Sequence, residues 1–348
     1  MLTIAIPTFN RNSILEITVG RLMPQLSDSV NLLIVDNASP LPVSESLPPA
    51  IVKNPHIHIV RNSANIGLAA NILRCIELAQ SDVLWILSDD DIPHYDASEK
   101  IIRDFHENLE LVFVTYSVDV SPINRERIFN DFTHFSESSA LIRLGFLSTS
   151  AYRSRFIKSY LRAGYAYLNT HVPHLAALLY GLGCEDKWSV RESTNSIVTY
   201  GHPSSEDRYS PIWSIACTSL VELLPTKISK RKLFSELKTG LARPQKMFWS
   251  IVINRLNGLP AWKAINSAHV CIGHYERLWP WPLKIIYSSF YILILLFGIY
   301  YPKQTASLLR FILTLVGREV PFEAHLVDIR ILGRPIEQTI SKNVLSGT

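Results

Sequence analysis

The stretch Trp85-Ile86-Leu87-Ser88-Asp89-Asp90-Asp91-Ile92-Pro93 guides the interpretation of the whole chain. An apolar run ends directly on three adjacent carboxylates, which repel one another unless a cation joins them. Alternate residues of an extended chain share a side, so Asp89 and Asp91 are predicted to converge on one ligand. Mg²⁺ and Mn²⁺ favour carboxylate oxygens, so this pair is predicted to hold one of these ions. The alternative is a solvated acidic turn or helix start.

Short apolar runs alternate with helix-like segments on both sides of this stretch. Strands are predicted over residues 1–7, 32–35, 57–60, 83–87, 111–116 and 145–150, with helices over 12–26, 68–79 and 97–109. This alternation predicts an α/β fold, a Rossmann-like, mostly parallel sheet with helices on both faces. Ligands of such sheets bind beyond the carboxyl ends of the strands. Polar clusters follow three of the predicted strands there: residues 8–11, 36–37 and 89–91.

Composition and missing motifs exclude several classes of protein. Hydrophobic residues make up 47% and charged residues 18% of the 348 residues, which excludes a disordered, charge-rich chain. The four cysteines form no C-x-x-C pair, which excludes a small disulfide scaffold and a Cys-based zinc site. Neither G-x-G-x-x-G after the first strand nor G-x-x-x-x-G-K-[ST] occurs, so a dinucleotide oxidoreductase and a P-loop protein are disfavoured.

Four segments together resemble the family 2 glycosyltransferases of GT-A fold. They are PTFNR (7–11), LLIVDNAS (32–39), RNSANIGLAANI (61–72) and LWILSDDDIP (84–93), and the resemblance covers roughly residues 2–120. The S-D-D-D form of the acidic motif, a variant of the D-x-D pattern, is similar to bacterial O-antigen and lipopolysaccharide sugar transferases, including those for abequose and rhamnose. The resemblance implies an inverting transfer of one sugar from a nucleotide diphosphosugar, with Mg²⁺ or Mn²⁺ as cofactor.

The resemblance also implies roles for individual residues. Asp89 and Asp91 would hold the metal, and ten residues would bind the nucleotide sugar: Pro7, Thr8, Asn10, Arg11, Asp36, Asn65, Gly67, Asn71, Asp89 and Asp90. Simpler explanations remain open for three of them. Arg11 is alternatively a surface residue, Asp36 a cap of the following turn, and Gly67 a position that needs a positive φ.

The general base is predicted in the second half of the domain. The resemblance favours the acidic pair Glu185-Asp186, with Asp186 preferred as the catalytic base. His171, followed by His174, is the second candidate, and Asp119 is the third. The non-catalytic alternatives are that the acidic pair belongs to a charged loop and that the histidines cap a helix or pack in the core. Processive synthases of the family carry Q-x-x-R-W, which residues 245–249 (QKMFW) do not match, so a single transfer is expected.

The second part of the chain is basic and apolar. Residues 1–200 carry a net charge of −5 and residues 201–348 one of +9. We expect a GT-A domain over residues 1–205 and a helical, membrane-associating region over 206–348. Residues 285–302 lack charge but are marginally short for spanning a bilayer. Residues 227–232 (KISKRK) are predicted either to contact anionic headgroups or to form a solvated helix face. The 285–302 segment is expected to lie in the interface as helices or a shallow hairpin. The alternative is a buried helical subdomain or dimer interface.

The expected partners follow from this division. They are a nucleotide diphosphosugar, a lipid-linked saccharide acceptor and an anionic membrane surface. Nucleic acid is not expected, because the basic region lacks an RNA-binding motif. No cleavable signal peptide is predicted, and nucleotide sugars are cytosolic, so the expected location is the cytoplasmic face of the inner membrane, peripheral or monotopic. The functional alternatives are a nucleotidyltransferase acting on sugar phosphates and an inactive, membrane-tethered sugar-binding protein.

Overall fold

The computed structural model describes residues 1–201, 217–240, 296–298, 300–301 and 303–305. Residues 1–201 and 217–240 belong to one compact unit. The domain boundary predicted at residue 205 and most of the apolar segment 285–302 lie outside the described residues. Across the described ranges, no helix combines the length and the apolar character needed to cross a membrane.

The strands within these ranges form an eight-stranded sheet and a two-stranded sheet. The larger sheet has the order β3-β2-β1-β4-β8-β6-β9-β7, and β5 pairs with β10 in the smaller one. In chain order the strands are β1 (Leu2–Thr8), β2 (Val30–Asp36), β3 (Ile57–Arg61), β4 (Val83–Ile86), β5 (Ile92–Pro93), β6 (Leu111–Ser117), β7 (Arg127–Phe129), β8 (Ser150–Arg153), β9 (Ser189–Ser196) and β10 (Val198–Thr199).

Most strands of the larger sheet run in the same direction. β1 pairs in parallel with β2 and β4, β2 pairs in parallel with β3, and β6 pairs in parallel with β9. β8 is antiparallel to both of its neighbours, β4 and β6, and β7 is antiparallel to β9. This confirms the predicted mostly parallel sheet. The strand predicted over residues 145–150 is wrong, because that segment contains 3-10 turns and the strand starts at Ser150.

Helices cover both faces of the sheet, as predicted. They are α1 (Asn12–Leu22), α2 (Val43–Ser46), α3 (Pro49–Val52), α4 (Leu68–Leu78), α5 (Ala97–Glu107), α6 (Phe132–Ser138), α7 (Ser154–Ser159), α8 (Leu161–Ala166), α9 (Pro173–Cys184) and α10 (Lys227–Gly240). Short 3-10 turns span Met23–Gln25, Arg143–Gly145, Leu147–Thr149, Leu168–Thr170 and Cys217–Leu223.

The alternation of side chains along β1 explains the two hydrophobic cores. Ile4 and Ile6 pack on the face covered by α1 and α5, whereas Ala5 points to the face covered by α4 and α9. Every residue of β1 is buried, as expected for a central parallel strand with helices on both sides. Burial of each large aliphatic side chain stabilises the fold by about 1.5–3 kcal/mol.

Helix α10 packs against the same unit as the sheet. Its residues Leu233 and Leu237 are buried in the core on the α4 and α9 face. The Lys232 ammonium donates to the carbonyl of Ser139, and Glu236 Oε2 accepts from the backbone N–H of Ile142 at 2.9 Å. The first described part of the region 206–348 is therefore attached to the N-terminal sheet.

Candidate active site

The polar clusters predicted at three strand ends meet at one edge of the sheet. β2, β1 and β4 are neighbours and run in parallel, so their carboxyl ends share this edge, here called the carboxyl edge. Backbone hydrogen bonds continue past the strands, from Asn37 N to Thr8 O at 2.9 Å and from Leu87 N to Ala5 O at 2.9 Å. Residues 88–91, which carry three carboxylates and are here called the acidic turn, follow Leu87 directly.

Arg11 and Thr8 bind the first two carboxylates of the acidic turn. Thr8 Oγ1 donates to Asp89 Oδ2 at 2.7 Å. One nitrogen of the Arg11 guanidinium donates to Asp89 Oδ1 at 3.2 Å and to Asp90 Oδ2 at 2.7 Å. From α1, Thr18 Oγ1 donates to the backbone oxygen of Asp89 at 2.9 Å. Four residues predicted for the donor site, Thr8, Arg11, Asp89 and Asp90, are therefore brought together.

Asp91 is held by different partners. Its Oδ1 accepts from the backbone N–H of Gly201 at 2.9 Å, and its Oδ2 accepts from the hydroxyl of Ser148. The side chain of Asp89 bonds Thr8 and Arg11 instead, so these contacts do not join Asp89 and Asp91 directly. Position 201 requires glycine, because a Cβ there would lie 1.9 Å from the backbone oxygen of Asp90.

Burial dominates the electrostatics of the carboxylates in the acidic turn. Burial raises the pKa of Asp89 to about 6, against the opposing effects of Arg11 and the Thr8 hydrogen bond. Burial also raises the pKa of Asp91 to about 6, although the bonds from Ser148 and Gly201 favour its ionised form. The Arg11 guanidinium pairs with Asp89 and Asp90, and the nearby charges of Asp90 and Asp119 raise the pKa of Asp91 further.

A hard divalent cation fits this arrangement. The side chains of the acidic turn offer only oxygen ligands, which Mg²⁺ and Mn²⁺ prefer. Within the described ranges, no group of three or more His, Cys, Asp or Glu side chains is placed to hold a metal by itself. In many Mg²⁺ sites of proteins, one or two carboxylates bind the ion and substrate phosphates supply further ligands.

An asparagine network ties the end of β2 to the start of α4. Asn37 Nδ2 donates to Asn65 Oδ1 at 2.8 Å, and Asn62 Nδ2 donates to Asn71 Oδ1 at 2.8 Å. Asn62 also donates to Asn37 Oδ1 at 3.0 Å, and Asn71 Nδ2 donates to the carbonyl of Val35 at 3.0 Å. Asn65 and Asn71 were predicted for the donor site. Asn37 and Asn62 were not, although each directly follows a strand.

The loops after β1 and β2 are fixed by local contacts. The buried Asp36 carboxylate accepts from the backbone N–H of Ser39 at 2.8 Å and pairs with Arg61. Asp36 therefore caps the turn that follows β2, which is the alternative predicted for this residue. The backbone N–H of Asn10, which has a φ of 54°, donates to Ser39 Oγ at 2.9 Å. Gly67, with a φ of 83°, occupies the N-cap position of α4. This positive φ by itself explains why a glycine occupies the position.

The acidic pair Glu185-Asp186 lies far from these strand ends. Both residues are exposed in the loop between α9 and β9. β9 begins at Ser189, which pairs in parallel with Leu111, the first residue of β6. The loop is therefore at the amino edge, opposite the acidic turn. Glu185 accepts a hydrogen bond from the Tyr160 hydroxyl at 2.7 Å. The structure does not bring Asp186 to the other predicted site residues.

His171 and Asp119 lie at the carboxyl edge. α9 ends near the amino edge and spans 12 residues, a length of about 18 Å, so its start lies near the opposite edge. His171 precedes it with a φ of 59°, and burial lowers the pKa of its imidazole. His174 is 1% exposed, and burial lowers its pKa to about 4, in keeping with the core-packing alternative. The exposed Asp119 follows the carboxyl end of β6.

A comparison with protein-family models finds a match in the N-terminal part of the chain. The model described as glycosyl transferase family 2 matches residues 3–164. Residues 3–164, slightly less than half of the chain, are therefore similar to this family. The match includes the acidic turn, Arg11 and the asparagine network, whereas His171 and the Glu185-Asp186 pair lie beyond it. No curated protein matches the sequence.

A solved structure of low sequence identity shows the same fold. S. aureus TarS 1-349 in complex with UDP has a TM-score of 0.52 and 11% identity, covering 88% of this chain and 91% of that chain. This likeness confirms the predicted GT-A fold. Mannosyltransferase PcManGT from Pyrobaculum calidifontis, in complex with GDP-Man and Mn²⁺, has a TM-score of 0.45 and 13% identity over 87% of each chain.

A third similar structure is glucosyl-3-phosphoglycerate synthase from Mycobacterium tuberculosis in complex with Mg²⁺ and UDP. It has a TM-score of 0.45 and 11% identity, and the match covers 65% of this chain and 81% of that chain.

The raised pKa of Asp89 predicts a pH-dependent stability. The folded state holds the proton more tightly than the unfolded state, so this group lowers stability as pH rises from about 4 through 6. Asp89→Asn removes this cost, and the Thr8 hydroxyl can reverse its hydrogen bond. Relative to wild type, the free energy of unfolding of the variant should improve by on the order of 2 kcal/mol between pH 4.5 and 7.5.

Urea unfolding in EDTA at both pH values measures this difference. The matched control is Asp28→Asn, which removes a fully exposed carboxylate and tests whether burial is the cause. A difference between Asp89→Asn and wild type that stays constant from pH 4.5 to 7.5 would contradict the burial of an ionisable Asp89.

Proposed function

We propose that the protein is an inverting, non-processive glycosyltransferase that uses a nucleotide diphosphosugar and Mg²⁺ or Mn²⁺. The observation that carries this proposal is the pair of buried carboxylates, Asp89 and Asp91, at the carboxyl edge of a sheet in the region that matches the family 2 model. Their burial raises both pKa values, so binding of a cation with a diphosphate would relieve the cost of ionising them. A sugar-binding protein without activity would not need to retain two buried carboxylates that are costly to ionise.

In this proposal the donor lies over the ends of β1, β2 and β4. Asp89 and Asp91 would hold the cation, which stabilises the negative charge that develops on the leaving diphosphate. Arg11 orients Asp89 and Asp90 through its hydrogen bonds to both, and its charge partly opposes the burial that raises the pKa of Asp89. The nucleoside would lie against the remaining proposed donor residues: Pro7, Thr8, Asn10, Asp36, Asn65, Gly67 and Asn71.

His171 is the general base that the placement of residues favours. An acceptor hydroxyl attacks the anomeric carbon opposite the diphosphate, which inverts the configuration, and it needs a base within about 3 Å. Burial lowers the pKa of His171, so the imidazole is neutral near pH 7 and able to take a proton. Asp119 shares the carboxyl edge and is the next candidate, whereas Glu185 and Asp186 lie at the amino edge.

We further propose a lipid-linked saccharide acceptor in the synthesis of a cell-surface polysaccharide such as an O-antigen or lipopolysaccharide. The support is the charge of the chain and the surface of α10. Lys227 and Arg231, one turn apart on this helix, are exposed together with Ile228. Basic side chains of this kind attract anionic headgroups, which would place the enzyme on the cytoplasmic face of the inner membrane.

Donor and metal dependence test the central proposal. We expect one of the UDP-, GDP-, dTDP- or CDP-sugars to raise the melting temperature, and Mn²⁺ to increase that shift relative to EDTA. Asp91→Asn should lose the Mn²⁺-dependent part and lower transfer at least about 100-fold, since a ligand of the cation is gone. Asp28→Asn is the matched control. Full metal-dependent transfer by Asp91→Asn would rule out Asp91 as a ligand.

The base is tested by comparing three substitutions in one assay. His171→Ala should lower kcat about 10²–10⁴-fold, while donor-induced stabilisation stays near the wild-type value. Asp119→Asn and Asp186→Asn test the two acidic candidates, and a smaller loss is expected for each. A loss of turnover in Asp186→Asn with an unchanged rate in His171→Ala would assign the base to the acidic loop instead.

Binding to vesicles tests the membrane surface on α10. The protein should float with vesicles that contain anionic phosphatidylglycerol and not with pure phosphatidylcholine. Lys227→Glu with Arg231→Glu should lower the binding constant by at least about 10-fold, since each basic residue contributes about 1 kcal/mol. Lys187→Glu, an exposed lysine on the loop before β9, is the control. Equal binding of the double variant and wild type would count against this surface.

A further inference from the structure

Ser148 makes three hydrogen bonds to the strand and turn that carry the carboxylates. Its hydroxyl donates to Asp91 Oδ2 and accepts from the backbone N–H of Ser88 at 2.9 Å. Its carbonyl accepts from the indole Nε1–H of Trp85 in β4 at 2.7 Å. Ser148 is completely buried. A single residue therefore fixes the end of β4, the start of the acidic turn and the carboxylate of Asp91.

The direction of β8 explains why Ser148 reaches this position. β8 lies between β4 and β6 and is antiparallel to both. Its first residue, Ser150, is therefore at the carboxyl edge, next to the acidic turn. Ser148, in the 3-10 turn just before β8, lies beyond that edge and beside the end of β4. The single reversed strand in the middle of the sheet thus supplies a polar residue to the site.

We propose that Ser148 is a positioning residue that sets the affinity of the acidic turn for its divalent cation. This inference rests on the proposed function, in which Asp91 is a ligand. A hydroxyl can accept from one group and donate to another, which is what Ser88 N–H and Asp91 require at the same time. Groups that hold a ligating carboxylate in place typically change metal affinity 10- to 100-fold when they are removed.

Gly201 supports the same carboxylate from the other side. Its N–H binds Asp91 Oδ1 while Ser148 binds Oδ2, so the plane of the carboxylate is fixed by two donors. The neighbouring residue Tyr200 packs edge-to-face on Phe146, two residues before Ser148, with 5.4 Å between ring centroids. The segments that carry the two donors are therefore also in contact with each other.

The test compares Ser148→Ala with Ser150→Ala. Ser150 is as completely buried, and its hydroxyl donates to the carbonyl of Phe146 and has no hydrogen bond to the acidic turn. The measurement is the rise in melting temperature caused by UDP, the nucleotide of the TarS complex, or by whichever nucleoside diphosphate stabilises wild type most. It is made in EDTA and across a Mn²⁺ titration. The response in EDTA reports the nucleotide alone, and the half-saturating Mn²⁺ concentration reports the cation site.

Ser148→Ala should raise the half-saturating Mn²⁺ concentration at least about 10-fold and leave the response in EDTA near wild type. Ser150→Ala should change neither. If Ser148→Ala does not fold, Ser148→Cys provides the comparison, because its thiol has similar size but is a weak donor and acceptor. A wild-type Mn²⁺ midpoint in the folded Ser148 variant would overturn the inference. Absence of a Mn²⁺-dependent response in wild type itself would instead overturn the proposed metal-dependent function.

Discussion

Desolvation of two carboxylates is the constraint around which this part of the molecule is organised. Asp89 and Asp91 are 5% and 2% exposed, at the end of a strand whose residues are all buried. An ionised carboxylate in such a position is costly unless hydrogen bonds or charges compensate it. Hydrogen bonds to the two carboxylates offset part of that cost. Thr8 and Arg11 do so for Asp89, and Ser148 and Gly201 do so for Asp91.

The compensation remains incomplete, because the pKa values of both groups stay raised to about 6. A protein that needed these side chains only for packing would be more stable with uncharged residues there. The two buried carboxylates lie where three neighbouring strands end, and that is where sheets of this kind bind their ligands. The acidic turn, rather than any single donor residue, thus connects the fold to the proposed chemistry.

The sequence allowed the fold to be predicted because its signals are local. β1, β2 and β4 are continuous apolar runs that end on polar residues, and their parallel pairing follows from the helices between them. The carboxyl-edge cluster of Thr8, Arg11, Asp89 and Asp90 followed from the same pattern. The direction of β8 could not be predicted, because hydrophobic periodicity does not specify the direction of a strand, and Ser148 was missed for that reason.

Residues after β6 were harder to place for a related reason. Asp186 and His171 are both polar residues next to a helix, and only the path of α9 relative to β9 separates them. That path puts one at the amino edge and the other at the carboxyl edge. The asparagine network was half predicted. Asn65 and Asn71 belong to a motif, whereas Asn37 and Asn62 gain their meaning from contacts between segments distant in the chain.

The packing of α10 has a practical consequence for work on the isolated domain. Leu233 and Leu237 of α10 are buried in the core on the α4 and α9 face of the sheet, together with Leu220 and Leu224, which precede the helix. A fragment that ends at Thr199, the last residue of β10, would expose the apolar residues that contact these leucines. An exposed apolar surface of this kind favours aggregation. Fragments prepared for crystallisation or ligand screening should therefore extend through Gly240.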